Sequence, residues 1–134
     1  MASELKVNTL TGVSTAGSIA VTGEGNSTTT NLQQGLVKAW LNLDGDSTAS
    51  IIDNLNVGSL TDNGTGNFTV TYTNNMGNTT YAVVVGIDEA SNSGATLTIG
   101  NVHTASQLKL LARNSSASLA DENSLNAAIL GDLA

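Results

Sequence analysis

Cysteine and proline are both missing from the 134-residue chain, and each absence excludes something. Without thiols there is no disulfide, no cysteine nucleophile and no thiolate metal site, so the redox compartment cannot be read from the composition. Without proline every residue after the first keeps a backbone N–H, which leaves the whole chain able to donate in sheet ladders, subunit edges included. Cations are nearly as scarce. Lys6, Lys38, Lys109 and Arg113 face eleven acids, for a formal net charge of −7. Four cations cannot neutralise a run of phosphates, so nucleic acid is not an expected partner. The acidity also argues against an anionic membrane surface, and no stretch approaches the roughly 20 apolar residues that insert across a bilayer. The opening MASELKVNTL alternates apolar with polar residues instead of forming a signal peptide's apolar core, which points to folding in a cytoplasm.

Aromatic residues make up only 3% of the chain, although hydrophobic residues reach 40%. The apolar mass is therefore mostly Ala, Val, Leu and Ile. Aromatic rings contribute the most burial per residue, so a core of this kind is thin, and sharing it between subunits would relieve that weakness. Oligomerisation is expected. Thr, Ser, Asn and Gly fill much of the rest, which disfavours long surface helices and favours Thr-rich strands joined by Asn/Gly turns.

Residues 1–35 read as an extended arm. Leu5, Val7, Ile19 and Val21 alternate with polar residues, and Gly12, Gly17, Gly23 and Gly25 interrupt them. Such an arm is either ordered against a neighbouring subunit or a flexible leader. Residues 36–134 carry the β-rich domain. Val37, Ala39, Leu41 and Leu43 share one face of a strand, with Lys38, Trp40 and Asn42 on the other. Ile51 to Val57 forms a second apolar piece, and Asn63-Gly64 is a short-range hairpin signal. Phe68, Val70 and Tyr72 then alternate with threonines. The continuous run Tyr81 to Val85 predicts a central strand buried on both faces, with Val83, Val84 and Val85 joining Phe68, Val70 and Tyr72 in the core. Ala95–Ile99 and Gln107–Arg113 add two more strands, the second with Leu108, Leu110 and Ala112 opposite Lys109 and Arg113. The fold class that follows is mainly β, a small antiparallel sandwich or sheet with an extended N-terminal arm. At the end of the chain Ser118, Asp121 and Glu122 resemble a cap and an acidic first turn, while Leu125, Ile129 and Leu133 lie four apart. A short helix over 119–130 is predicted there.

Chemistry is hard to place. His103 is the single histidine, with no motif around it, and a structural or solvent-exposed role is expected. No nucleophile elbow, Walker loop, HExxH or dinucleotide fingerprint occurs. Asp44, Asp46 and Asp53 offer oxygen ligands but lack the later glutamate of a calcium loop, and turn aspartates bond local backbone routinely. No catalytic residue, metal or cofactor is expected. Trp40 lies opposite the apolar side of its strand, so either a second layer or another subunit should cover it. With Leu5, Val7, Leu10, Ile19 and Val21 it makes the set of candidate assembly residues.

The segment from Lys38 to Gly77 carries Lys38-Ala39-Trp40, Asp53, Asn56-Val57, Ser59, Thr61-Asp62-Asn63-Gly64-Thr65-Gly66 and Phe68-Thr69-Val70, followed by Tyr81-Ala82-Val83-Val84. These marks resemble a β-structured module recurrent in fibre and other virion proteins of marine bacteriophages. Ser3 to Leu10 is similar to the leader that often precedes it. Members often carry Arg and Phe where this chain has Ile52 and Leu55. The resemblance implies a non-enzymatic virion component, commonly homotrimeric, assembled in the host cytoplasm. The leading expectation is a trimeric capsid decoration, cement or head-fibre protein, with the major capsid protein among its partners. The alternative is a tail-fibre or receptor-binding component that contacts host surface glycans.

Overall fold

A computed structural model describes residues 4–12, 19–23, 28–46, 48–88 and 94–133. Gly17 and Gly25, expected to interrupt the arm, lie outside the described residues. The chain divides into two units, Met1–Gly35 and Leu36–Ala134.

The first unit holds two strands, β1 (Ala20–Thr22) and β2 (Thr29–Asn31), and one helical turn, α1 (Leu32–Gly35). The strands pair antiparallel through Ala20↔Asn31, Val21↔Thr30 and Thr22↔Thr29. Asn31 then caps α1, its Oδ1 accepting the Gln34 N–H at 3.1 Å.

The second unit is an antiparallel β-sandwich. Its strands are β3 (Val37–Asp44), β4 (Ser50–Leu55), β5 (Val57–Asp62), β6 (Asn67–Tyr72), β7 (Ala82–Asp88), β8 (Thr96–His103), β9 (Gln107–Arg113) and β10 (Ser124–Leu130). They form two four-stranded sheets, ordered β4-β3-β10-β7 and β5-β6-β9-β8. Alternation decides what each strand buries. From the first sheet Ala39, Leu41, Leu43, Leu125, Ala127 and Ile129 turn inward; from the second come Phe68, Val70, Tyr72, Leu108, Leu110 and Ala112, and all pack in one core.

The chain changes sheets between β4 and β5 at Asn56, whose φ is +59°. Asn tolerates this left-handed conformation better than most residues. Its side chain also ties the corner down: Nδ2 donates to the carbonyls of Lys38 (3.2 Å) and Asn74 (3.0 Å), while Oδ1 accepts from the Asn74 backbone N–H at 2.7 Å. The expected hairpin at Asn63-Gly64 joins β5 to β6, closed by Asn63 N–H to Asn67 C=O at 2.8 Å.

Three expectations are corrected. The segment 119–130 is not a helix: β10 occupies Ser124–Leu130 at the middle of its sheet, between β3 and β7. A spacing of four, as between Leu125 and Ile129, fits a helical period and a strand's period of two equally well. Ala127, midway and buried, decides for the strand. An acid read as part of the helix's first turn serves elsewhere, since Asp121 Oδ1 accepts the Gly66 N–H at 2.7 Å. The second correction concerns β7. It lies at an edge, with Val83, Val85 and Ile87 packed on the core while Val84 is 62% exposed. Its run of valines has two apolar faces, of which the sandwich core covers one. Val37 also departs from the buried face, because a register shift sets Leu130 opposite Val37 and Ile129 opposite Ala39.

The β5–β6 turn yields a paired test. Gly66 has φ +61°, and a Cβ there would meet Ala112 O at 2.5 Å and Ala120 N at 2.7 Å, backbone atoms that cannot step aside. Gly64 has φ +106° and open space around it. Denaturant unfolding should find Gly66→Ala destabilised by roughly 3 kcal/mol, from overpacking added to left-handed strain, and Gly64→Ala by only about 1–2 kcal/mol, from strain alone.

Candidate assembly surface

The two outer faces of the sandwich differ in chemistry. On the β5-β6-β9-β8 sheet the outward rows run Ser59–Thr71–Gln107, Thr61–Thr69–Lys109 and Asn67–Leu111–Thr98. Hydroxyls and amides bond one another there: Asn63 Nδ2 donates to Thr69 Oγ1 at 2.9 Å, and Gln107 Nε2 to Thr71 Oγ1 at 3.5 Å. This is an ordinary solvated face.

The outer face of the β4-β3-β10-β7 sheet is built otherwise. Trp40 pairs with Leu55 on one side and Ala128 on the other, and Ala128 pairs with Val84. An uninterrupted apolar row, Leu55–Trp40–Ala128–Val84, therefore crosses all four strands. Leu130 and Ala82 extend it on one side. On the other side Asn42 and Asn126 follow, linked through Ser124: its Oγ donates to Asn42 Oδ1 and accepts from Asn126 Nδ2, both at 3.3 Å. Asp53 flanks this row, and Asp44 and Asp88 lie beyond it. Val84 is 62% exposed, Leu55 48%, and Trp40 is half-buried. Sequence reasoning picked out Trp40 but missed Leu55, Ala128 and Leu130, and it placed Val84 in the core. The available signal was SLNAAIL, in which Ala128 and Leu130 make the outward face of β10 apolar as well as the inward one.

The remaining assembly candidates lie in the first unit. Leu5, Val7, Leu10 and Val21 are exposed and Ile19 is half-buried, and no described residue from 4 to 35 is buried. Glu4 and Lys6 form an ion pair at 3.4 Å on a fully hydrated surface, which adds little. Two three-residue strands do not make an independently stable structure.

The groups considered for chemistry are dispersed into structural roles. Asp44 Oδ1 accepts the Asp46 N–H at 2.9 Å in the turn after β3, and Asp53 Oδ1 accepts the N–H of its neighbour Asn54 within β4 at 2.8 Å. Among the described residues no group of three or more His, Asp or Glu is placed to hold a metal ion, and no helix is long and apolar enough to cross a membrane. His103 stands edge-on to Tyr81 with ring centroids 4.2 Å apart, and its Nε2 is buried without a hydrogen bond. Tyr72 donates to the Tyr81 hydroxyl at 3.3 Å, and the Tyr81 O–H donates in turn to Thr104 C=O at 2.8 Å. The chain of bonds ends on backbone at one end of the core.

No protein-family model, curated protein or solved structure matches the chain. The arrangement of its own residues carries the functional reading.

The tyrosine pair makes stability pH-dependent at the alkaline end. Burial pushes the Tyr72 hydroxyl well above its ordinary range, and the adjacent Tyr81 hydroxyl adds to the effect; burial also raises Tyr81, against an opposing contribution from the Tyr72 hydrogen bond. The folded hydroxyls keep their protons where an unfolded chain's tyrosines lose theirs. Stability should hold up to about pH 10 and then fall by about 1.4 kcal/mol per pH unit for each such tyrosine. Unfolding free energies measured by denaturant from neutral pH upward should show this slope, and Tyr72→Phe should reduce it by about one proton.

Proposed function

We propose that this chain is a non-enzymatic structural component of a bacteriophage virion, a self-associating, homotrimeric protein that decorates or cements the capsid or forms a head fibre. The observation that carries the reading is the N-terminal unit, which presents Leu5, Val7, Leu10 and Val21 to solvent and buries none of its described residues. A segment with apolar side chains and no core of its own gains stability by laying them on something else, as assembly arms do. The sandwich supports the same reading through its apolar outer face, and the likeness of its 38–77 segment to virion modules supplies the setting. The polar Thr-rich face of the other sheet favours one second reading, a tail-fibre component whose hydroxyls and amides meet host glycans.

Light scattering on the full chain and on a variant lacking residues 1–35 tests self-association. An oligomer of the full chain is the expected result. Persistence after truncation would place its contacts in the sandwich and leave the arm for the shell; loss would make the arm the intertwining element; a monomer in both would end the oligomer reading. Quantitative mass spectrometry of purified particles tests location. Copy numbers on the scale of the capsid lattice are expected, whereas a few copies per particle, with adsorption lost on deletion, would shift the assignment to the tail.

A further inference from the structure

We propose that Asn63-Gly64, in the turn between β5 and β6, is a site of spontaneous covalent change, at which the Gly64 backbone nitrogen closes on the Asn63 side-chain carbonyl carbon, and that two hydrogen bonds of the folded turn hold this reaction in check. The inference goes beyond the structural role proposed above and is independent of self-association.

Glycine follows Asn or Asp at two places in the chain, Asp44-Gly45 and Asn63-Gly64. Ring closure at such a pair needs an unhindered nitrogen, which a residue without a Cβ provides, and room for both residues to turn. The fold gives that room to one of them. At Asp44-Gly45 the glycine is buried and its N–H donates to Glu122 C=O at 3.0 Å, while an added Cβ would come within 2.9 Å of that carbonyl oxygen and of the Phe68 ring. Asn63 and Gly64 are both exposed, and nothing lies within 4 Å of where a Gly64 Cβ would sit.

The step needs water and no other reactant. The Gly64 nitrogen gives its proton to solvent base and bonds to Asn63 Cγ; the Cγ–Nδ2 bond breaks, and the amide nitrogen takes up a proton from water and leaves as ammonia. Water then opens the five-membered imide. Attack at Cγ leaves an aspartate at position 63, and attack at the main-chain carbonyl leaves an isoaspartyl link that adds a carbon to the backbone. Nothing is oxidised or reduced. Either product adds one negative charge to the formal −7. The isoaspartyl link also lengthens a turn whose closure, Asn63 N–H to Asn67 C=O at 2.8 Å, and whose flanking pair Asp62↔Phe68 depend on the residue count. In the folded turn both reacting groups are engaged elsewhere: Asn63 Nδ2 donates to Thr69 Oγ1 at 2.9 Å, and the Gly64 N–H donates to Asp62 Oδ1 at 2.8 Å. These bonds must give way before the ring closes, so the rate follows local opening of the turn.

The experiment incubates the full chain at neutral and at mildly alkaline pH and follows every asparagine, and Asp44, by mass-spectrometric peptide mapping, with electron-based fragmentation to recognise the isoaspartyl form. Conversion should appear first at Asn63, run faster at the higher pH, and leave Asp44-Gly45 unchanged. Thr69→Val and Asp62→Ala, each removing one restraint, should speed it by at least roughly fivefold, the factor one such hydrogen bond carries. Asp62→Asn keeps an oxygen acceptor and loses only the charge, and Thr71→Val lies on the same strand away from the turn; both should stay at the parent rate, with circular dichroism verifying the fold throughout. Conversion at another asparagine or at Asp44 before Asn63 overturns the site. Rates at Asn63 that are no higher in Thr69→Val and Asp62→Ala than in the parent overturn the restraint.

Discussion

The insertion of β10 between β3 and β7 is the pairing on which the second unit depends. It joins residues far apart in the chain, Leu125 opposite Leu43 and Ile129 opposite Ala39, and it brings Leu125, Ala127 and Ile129 into the core together. Without it β7 would lose its only partner in the sheet and β3 would keep only β4. Because six strands, β4 to β9, lie between β3 and β10 in the chain, the sheet forms only after a long loop has been closed. That cost grows slowly with length, but it falls on the folding rate before the contacts repay it.

Small residues make that closure fit. Gly45 lets the turn after β3 lie against Glu122 C=O and the Phe68 ring, where a Cβ would approach both to 2.9 Å. Asp121 reaches the β5–β6 turn and holds Gly66, whose carbonyl accepts the Ala112 N–H at 2.8 Å. At the other end of β6 the two tyrosines close the core, and Asn56 anchors the crossing from one sheet to the other. A chain with so few aromatic rings places Phe68 at one end of the sandwich and the tyrosine pair at the other, and fills the middle with aliphatic side chains.

The same economy bears on assembly. Two apolar features lie outside the sandwich core, the row Leu55–Trp40–Ala128–Val84 and the exposed side chains of the N-terminal unit. Under the proposed self-association, burial between copies would add to the aliphatic core a stability that depends on concentration.

Period-two alternation in the sequence was sufficient to identify Phe68–Val70–Tyr72 and Leu108–Leu110–Ala112 as buried faces, and Asn63-Gly64 as a turn, because those properties depend only on residues close in the chain. Trp40 was legible as an outward residue for the same reason. What local pattern could not decide was which strands lie side by side. Four-residue spacing left β10 open to a helical reading, and a two-faced apolar run placed β7 at the sheet's centre when it lies at the edge. The apolar row was illegible because its four members come from β4, β3, β10 and β7 and become neighbours only through register. The sequence alone determined a β-rich, weakly aromatic chain with strands of known inward face. Only the tertiary structure decided the sheet order, and with it which outward residues combine into a surface, because strand pairing is settled by contacts between distant parts of the chain.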